Sequence, residues 1–345
     1  MQSYVLCVRD VTKDPKTGQQ HFGAGLGAPA YLTVPWSSDP PGIPARDEPL
    51  PAHRAKKVQD WLAAIVADAA AGGPQGRELE IVFFVHGYNT DPVEALKRQR
   101  LAERELRRRG YPCLVIGFDW PTAGSPATYL YDRQQAAQAA LSLVTGGIVP
   151  FALYSRKCPT QVHIMAHSMG GYVIREAFRS ADKARMASIP NDWRIGQMVL
   201  FGADLSSSCF EADSPDMTAV FGHCGRLTNY YSPYDEALAV SGVKNLDISA
   251  RVGRVGMPAH KPTDAKAVDV DCGPRYQTVK GRPFQVIDGM ASHSWYLEDD
   301  LWYDDLALTL DGGCDRNVFP TRAPSPSGIV DDFELKAPDR PAGAV

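Results

Sequence analysis

The chain has 345 residues, with 36 Lys and Arg against 40 Asp and Glu, which gives a formal net charge of −4. Its hydrophobic fraction of 44% and charged fraction of 22% are ordinary for a globular protein and exclude an intrinsically disordered chain. Charges of both signs are spread along the sequence, so the composition argues against a nucleic-acid partner.

The N-terminal residues and the cysteines bear on the compartment. Met1 is not followed by a basic segment, a long apolar core and a small-residue cleavage site, so we find no secretory signal. The charge-free stretch between Arg133 and Arg156 contains Gln, Ser, Gly and Pro and makes a poor membrane span. The seven cysteines are odd in number and include no CxxC pair, which disfavours a disulfide framework and a compact zinc site. We therefore expect a cytoplasmic protein without an integral membrane segment.

Residues 1–75 are expected to form N-terminal strands and a helix that pack on a larger core. Residues 3–9 and 31–35 are candidate strands, and the prolines and glycines around them predict irregular surface. Apolar residues recur at helical spacing over residues 54–71, after which Gly72, Gly73 and Pro74 end the pattern.

Residues 76–313 show short apolar runs that alternate with helical patterns. Strands are predicted at 80–85, 113–118, 162–166, 198–201, 227–231 and 284–287, and helices at 92–109, 127–144 and 170–179. This alternation predicts an α/β fold with a mostly parallel central sheet and helices on both faces. In such a sheet, functional residues lie at the carboxyl ends of the strands.

Three segments do not follow this alternation. Residues 205–224 and 241–282 are long and rich in Gly, Pro and polar residues, so we expect excursions over the sheet edge, the second of them a candidate lid. Residues 314–345 contain five prolines and are expected to form a loosely ordered tail.

The segment Ala166-His-Ser-Met-Gly-Gly171 lies between a predicted strand and a predicted helix. Small residues at 166 and 170 flank Ser168 by two positions on each side, which is the spacing of a nucleophile elbow. The chain must turn sharply there, and bulk at either flank would clash. The following helix directs its free backbone N–H groups at the place where an oxyanion would form. Ser168 is therefore the candidate nucleophile; the alternative is a small residue in a tight turn.

A second motif, Phe84-Val-His-Gly-Tyr-Asn89, directly follows the strand predicted at 80–85. Hydrolases of this architecture place the other oxyanion donor, a backbone N–H, just after this strand. Gly87 allows the backbone to approach a substrate closely. The expected oxyanion hole consists of the backbone amides of Tyr88 and Met169, and His86 is expected to order the loop rather than to act in catalysis.

Several motifs together resemble the α/β-hydrolase proteins of the DUF900 group, which are esterase- and lipase-like. They are Val85-His-Gly-Tyr-Asn89, Phe118-Asp-Trp-Pro121 followed by Gly124, Tyr129 and Asp132, Ala166-His-Ser-Met-Gly170, Tyr231-Ser-Pro-Tyr-Asp-Glu-Ala-Leu238 and Ser292-His-Ser294. The resemblance covers roughly residues 81–310. It implies an α/β-hydrolase fold and a hydrolytic reaction, without naming the ester.

The triad of such a fold requires an acid and then a histidine after the serine. Among the eight histidines, only His260 and His293 follow the two strands after the elbow. No predicted strand leads into His260, whereas His293 follows the strand predicted at 284–287 by a short loop. We therefore favour His293 as the general base.

Two aspartates compete for the role of the acid. Asp235 follows the strand predicted at 227–231 in the turn sequence Ser-Pro-Tyr-Asp, and Asp204 follows the strand predicted at 198–201. Asp288 is too close to His293 in the chain for the usual arrangement. We favour Asp235 and keep Asp204 as the rival, while each also fits a turn or cap role.

These residues predict a serine hydrolase that cleaves carboxylic esters through an acyl-enzyme and needs no metal or organic cofactor. The same triad would serve a lipase, thioesterase, amidase or acyltransferase. A non-catalytic binding protein of this fold would have lost the elbow, the oxyanion loop or the histidine, and all three are intact. The aromatic residues Trp120, Tyr234 and Trp295 are expected near the site, where they would contact an apolar group of a small-molecule substrate.

Overall fold

A computed structural model describes ten stretches of the chain, which are residues 2–18, 20–36, 55–73, 77–122, 128–154, 161–184, 192–212, 214–244, 250–258 and 266–338. Their strands are β1 (Gln2–Lys13), β2 (Gln20–Pro35), β3 (Ala55–Lys56), β4 (Glu80–Val85), β5 (Cys113–Asp119), β6 (Val162–His167), β7 (Ile195–Phe201), β8 (Cys224–Tyr231), β9 (Ala267–Asp271), β10 (Arg322–Pro324) and β11 (Asp332–Leu335).

The helices of the described residues are α1 (Val58–Ala71), α2 (Pro92–Arg108), α3 (Tyr129–Leu143), α4 (Val149–Tyr154), α5 (Gly170–Ala184), α6 (Thr218–His223), α7 (Glu236–Lys244), α8 (Val252–Val255), α9 (Gly273–Val279), α10 (Ala291–Ser294) and α11 (Asp300–Asp311). A π-helical turn, Val144–Ile148, joins α3 to α4. The predicted helices thus form, with α1 beginning four residues later than expected.

The strands form one sheet in the order β10-β11-β9-β8-β7-β6-β4-β5-β1-β2-β3. Every pairing from β1 across to β11 is parallel, and the outer pairings β1–β2, β2–β3 and β10–β11 are antiparallel. The predicted mostly parallel α/β sheet is therefore confirmed. The carboxyl ends of β4, β6, β7 and β8 meet at one edge, which brings the motifs that follow them together.

Helices cover both faces of the sheet, because alternate residues of each strand enter different hydrophobic clusters. In β4, Ile81, Phe83 and Val85 pack with α1, α3 and α5, whereas Val82 and Phe84 pack with α2 and α11. The continuous apolar runs of the central strands are explained by this burial on both sides.

The prediction of a strand at 284–287 was wrong. The backbone N–H groups of Gln285, Val286 and Ile287 donate to the Glu298 carboxylate at 2.7, 2.9 and 2.9 Å, so a side chain takes the place of a neighbouring strand. The strand that extends the sheet beyond β8 is β9, which lies inside the segment predicted as the second excursion.

The C-terminal segment also differs from the predicted loosely ordered tail, because β10 and β11 extend the sheet beyond β9. Arg322 of β10 forms a buried ion pair with Asp305 of α11 at 2.6 Å, and Phe333 and Leu335 of β11 are buried. Residues 339–345 of the predicted tail lie outside the described residues.

Two features bear on the expected compartment. The continuous helical stretch Tyr129–Leu153 has the length and apolar composition of a membrane-spanning helix, which is weak evidence because 56% of its most apolar window is buried inside the protein. The six cysteines in the described part of the chain are free thiols, and Cys158 lies outside it.

Candidate active site

Ser168 occupies the sharp turn between β6 and α5. Its φ of +55° lies in the left-handed region, which costs about 1 kcal/mol or more for a residue with a side chain. Backbone hydrogen bonds hold this conformation: Ser168 N–H donates to the Phe201 carbonyl at 3.2 Å, and its own carbonyl accepts from Gly171 at 3.0 Å and Asp204 at 2.9 Å. The strain and its fixation are the features expected of a nucleophile elbow.

Two glycines are required by the close approach of the end of β4 to this turn. A Cβ on Gly170 would lie 2.4 Å from the Val85 carbonyl oxygen, and a Cβ on Gly87 would lie 2.7 Å from the Cβ of Ser168. Neither position has room for a methyl group without a shift of the backbone. The steric reason predicted for a small residue at 170 is therefore present, and Gly87 is required by its contact with Ser168 itself.

The predicted oxyanion donors lie on the two segments that meet at Ser168. Tyr88 follows Gly87 in the loop after β4, and Met169 follows Ser168 at the start of α5. Within the described residues, no backbone acceptor takes the N–H of Tyr88 or that of Met169. Both N–H groups are therefore available to an oxygen atom of a bound substrate.

His86 holds the oxyanion loop through hydrogen bonds. The Trp120 N–H donates to Nε2 of His86 at 3.2 Å, so Nδ1 carries the proton and donates to the Gly87 carbonyl at 2.9 Å. Burial lowers the pKa of His86, which keeps the ring neutral. Asp119, 3.2 Å from Nε2, forms a buried ion pair with Arg9 of β1 at 2.8 Å. The loop therefore depends on the N-terminal strand as well as on β4.

The structure brings His293 and Asp235 together. Nδ1 of His293 lies 2.6 Å from Oδ2 of Asp235, which is fully buried, and the other carboxylate oxygen accepts the Leu238 N–H at 2.9 Å. A neutral His293 that donates Nδ1–H to Asp235 leaves Nε2 free to accept a proton. The ring centre of His293 lies 4.6 Å from that of His167, the residue before Ser168.

The rival acid Asp204 has other partners. Tyr129 donates a short hydrogen bond to its Oδ2, and Nε of the buried Arg251 lies 3.3 Å from its Oδ1. Asp204 therefore compensates a buried cation, whereas Asp235 meets the histidine. The alternative base His260 lies outside the described residues, as does Gly124 of the resemblance motif.

His167, the residue before Ser168, supports the backbone of α10. Its Nε2 donates to the His293 carbonyl oxygen at 3.0 Å, and its ring stacks on Phe201. Burial, reinforced by the neighbouring His293, lowers the pKa of His167 well below its usual range. A neutral His167 thus donates one hydrogen bond that fixes the residue proposed as base.

A buried ion pair on α2 holds the loop before α10, and sequence reasoning missed it. Glu94 Oε1 accepts from Arg98 Nε at 2.8 Å and from the Asp288 N–H at 3.0 Å, while Arg98 donates a short bond to the Asp288 carbonyl. Asp91 caps this helix at 2.8 and 2.9 Å to the N–H groups of Val93 and Glu94, which frees the Glu94 side chain for the loop. The only sequence signal was an acidic third residue after the cap.

The three aromatic residues expected to contact substrate lie in different environments. Trp120 is fully buried, stacks on His86 at 5.4 Å and donates its indole N–H to the His86 carbonyl at 3.0 Å, so it supports the loop instead. Trp295 is buried against Tyr276, and Tyr234 is 47% exposed beside Asp235. Among the described residues, no group of three or more His, Cys, Asp or Glu is placed to hold a metal ion.

The sequence profile of one protein family matches residues 72–275, more than half of the chain, and the family is described as "Alpha/beta hydrolase of unknown function (DUF900)". The chain belongs to this α/β-hydrolase family. No curated protein matches the sequence significantly. The DUF900 match includes Ser168 and Asp235 and ends before His293, so the place of His293 in the site rests on the geometry described above.

Solved structures similar to this DUF900 protein include esterases and a lipase. An esterase from Pyrobaculum calidifontis is 15% identical, with 71% of this chain and 82% of that chain covered and a TM-score of 0.33. A fungal esterase from Rhizomucor miehei is 9% identical, with coverage of 90% and 84% and a TM-score of 0.38. Aspergillus fumigatus lipase B is 15% identical, with coverage of 53% and 44% and a TM-score of 0.28. Similarity this remote carries no information on substrate.

Proposed function

We propose that this α/β-hydrolase protein cleaves carboxylic esters through Ser168, His293 and Asp235. The observation that carries the proposal is the contact of 2.6 Å between His293 Nδ1 and Asp235. The His293 ring lies 4.6 Å from that of His167, the neighbour of Ser168, which is held at positive φ. A buried carboxylate paired with a histidine next to a strained nucleophile is the arrangement that acyl transfer requires.

In the proposed reaction, His293 Nε2 accepts the Ser168 hydroxyl proton while Oγ forms a bond to the ester carbonyl carbon. Asp235 orients the ring and stabilises the imidazolium that results. The Tyr88 and Met169 N–H groups stabilise the tetrahedral oxyanion. The alcohol then leaves with the proton from His293, and a water molecule, activated by the same ring, releases the acid and restores Ser168.

Other acyl bonds are compatible with these residues, because the triad is the same in lipases, thioesterases, amidases and acyltransferases. A non-catalytic binding protein is the alternative of a different class. The positive φ of Ser168 argues against it, since backbone strain of this kind costs stability and clusters at active sites.

The first experiment is the hydrolysis of p-nitrophenyl esters of increasing acyl length by the wild type, Ser168→Ala and His293→Ala. We expect loss of at least about 10³-fold in kcat for both variants, because each removes a member of a unit that acts together. Ser180→Ala is the matched control, since Ser180 lies on the same helix and away from the turn. Unchanged activity in Ser168→Ala would refute the assignment of the nucleophile.

Reaction with a fluorophosphonate separates the remaining alternatives. A wild type that hydrolyses no ester but is labelled at Ser168 acts on another acyl bond. A wild type that is neither active nor labelled is a binding protein, which would refute the proposed catalytic role.

A further inference from the structure

A cavity of about 330 Å³ lies next to α10, the short helix that carries His293. Its apolar wall is formed by the side chains of Trp295, Tyr276, Phe284, Val279 and Ala291. The volume falls within the range of small-molecule sites, about 300 to 1,000 Å³. An aromatic wall of this kind suits an alkyl chain or a flat ring.

The cavity lies next to α10, and neither His293 nor Asp235 lines it. Ala291 at the start of α10 and Trp295 directly after its end line the cavity, whereas His293 does not. His293 contacts Asp235 and the ring of His167. Trp295 instead packs on Tyr276 at a ring distance of 5.8 Å. The cavity is therefore separate from the space in front of the proposed nucleophile.

The charges around the cavity are unequally compensated. Asp299 pairs with Arg275 at 2.8 Å, whereas Glu298 accepts three backbone N–H bonds that satisfy its oxygens and leave its negative charge in place. Lys280 and Arg282 also line the cavity and are exposed. Lys280 donates a short hydrogen bond to the Gln277 side chain, and neither cation forms an ion pair with any described residue. With Asp299 paired to Arg275, the two cations Lys280 and Arg282 outnumber the one unpaired carboxylate of Glu298, so the lining carries a net positive charge.

We propose that this cavity binds a small amphiphilic carboxylate, a medium-chain fatty acid in chemical terms. The alkyl chain packs on Trp295, Tyr276 and Phe284, and the carboxylate meets Lys280 and Arg282 at the rim. The ligand is a second one for the protein, because neither Ser168 nor His293 lines the cavity. An exposed lysine and arginine beside an apolar wall favour this anion over a neutral or cationic amphiphile.

The test is titration of the Ser168→Ala protein with sodium decanoate, followed by isothermal calorimetry. We expect saturable binding of one decanoate per chain and none of decyltrimethylammonium. The double variant Lys280→Glu, Arg282→Glu should weaken decanoate binding roughly tenfold, because two attractive charges become repulsive. Lys16→Glu, Lys183→Glu carries the same change of charge on exposed residues elsewhere and should bind as tightly as the parent.

A second arm distinguishes the cavity from the space in front of Ser168. Decanoate should bind equally well to wild-type protein whose Ser168 has been phosphonylated. The proposal is overturned if no saturable binding occurs, if phosphonylation abolishes it, or if the Lys280→Glu, Arg282→Glu protein binds decanoate as tightly as its control.

Discussion

Two buried aspartates near Ser168 have different partners. Asp235 is fully buried and contacts His293 at 2.6 Å, whereas Asp204 lies beside the buried Arg251 and accepts a bond from Tyr129. Removing a negative charge from each should therefore have different consequences. Loss of the Asp235 charge affects the tautomer of His293 and the stability of its imidazolium, whereas loss of the Asp204 charge leaves the buried Arg251 without this partner.

We expect Asp235→Asn to fold and to lose about 10⁴-fold in kcat, by analogy with the loss of the acid in serine-protease triads. Asp204→Asn should instead lower the free energy of unfolding by about 3 to 5 kcal/mol, with a much smaller change in kcat. Ester hydrolysis below the melting temperature and urea unfolding measure the two effects. The opposite pattern, an inactive and stable Asp204→Asn beside an active Asp235→Asn, would make Asp204 the acid.

At the level of single residues, the sequence predicted what local chemistry requires. The elbow glycine, the His-Gly loop and Asp235 follow strands whose apolar runs are continuous, and the structure places all of them at one sheet edge. The sequence could not predict that Glu94 and Arg98 hold the loop before α10, or that Trp120 supports the oxyanion loop, because the partners of these residues are distant in the chain. Arg98 and Asp288, for example, are 190 residues apart.

At the level of elements, α2 holds the loop that leads into α10. The Glu94 carboxylate binds both Arg98 and the Asp288 N–H, so its loss removes one of the two bonds between α2 and Asp288 and leaves Arg98, which makes the other, without its ion-pair partner. We expect Glu94→Ala to lower kcat by roughly 10- to 100-fold, because a displacement of the base by about 1 Å is costly. Glu94→Gln, which keeps an acceptor for Asp288, should restore part of this activity.

Lys97→Ala is the matched control on the same helix, since the half-buried Lys97 lies 3.8 Å from Glu94 Oε2 and not from Oε1, which accepts the Asp288 N–H. It should leave kcat within about twofold. If Glu94→Ala folds and keeps wild-type kcat, the contact with α2 has no part in positioning His293.

A second carboxylate of α2 makes stability depend on pH. Burial raises the pKa of Glu103 from 4.5 to about 7, and this outweighs the attraction of Arg107 at 2.9 Å. Between these values the folded protein binds a proton that the unfolded chain does not. The contribution of Glu103 to the free energy of unfolding is therefore fully present below about pH 4.5 and is lost as the pH rises through about 7.

Glu103→Gln should remove this slope, which is on the order of 3 kcal/mol between pH 5 and 8, and should stabilise the protein at pH 8. Urea unfolding across that range measures it. Glu105→Gln is the control, because the arginines around Glu105 lower its pKa and cannot produce a loss of stability in this direction. An unchanged slope in Glu103→Gln would show that the carboxyl is ionised in the folded protein.

Elements were predicted well where periodicity and burial agreed, and poorly where side chains replaced strand partners. Residues 284–287 are apolar and β-rich, yet the Glu298 carboxylate takes their N–H groups. β9 has Asp269 in its centre, and aspartate is typical of loops and rare in strands, so the sequence did not predict this strand. In the fold this carboxylate accepts the Asn229 side-chain N–H at 2.8 Å and the Met257 N–H at 2.7 Å, so its burial is compensated.

At the level of the whole molecule, the sheet extends beyond the residues that match the family. On one side, Arg9 of β1 reaches Asp119 and the Thr90 carbonyl next to the oxyanion loop. On the other side, β11 pairs with β9, and Arg322 of β10 reaches Asp305. Both additions meet the core through a buried arginine and a buried aspartate, so each is joined to the core by charge as well as by strand pairing.

The C-terminal addition should therefore be essential for folding. Removing residues 314–345 leaves the fully buried Asp305 without the guanidinium of Arg322 and exposes the surfaces that Phe333 and Leu335 cover. Removing one partner of a buried ion pair costs about 3 to 5 kcal/mol, and the apolar side chains add to it. We expect the shortened protein to melt at least roughly 10 °C lower or to be insoluble.

Two variants assign the cause of this loss. Arg322→Met keeps the strand pairing and removes the charge, so it should account for much of the destabilisation by itself, because Tyr230 and Thr321 still donate to Asp305 at 2.6 and 2.5 Å but cannot neutralise it. Removal of residues 339–345 alone spares both strands and should leave the melting temperature unchanged. If the chain without residues 314–345 has the same melting temperature as the wild type, the buried ion pair contributes nothing to stability, and β10 and β11 are dispensable additions to the edge of the sheet.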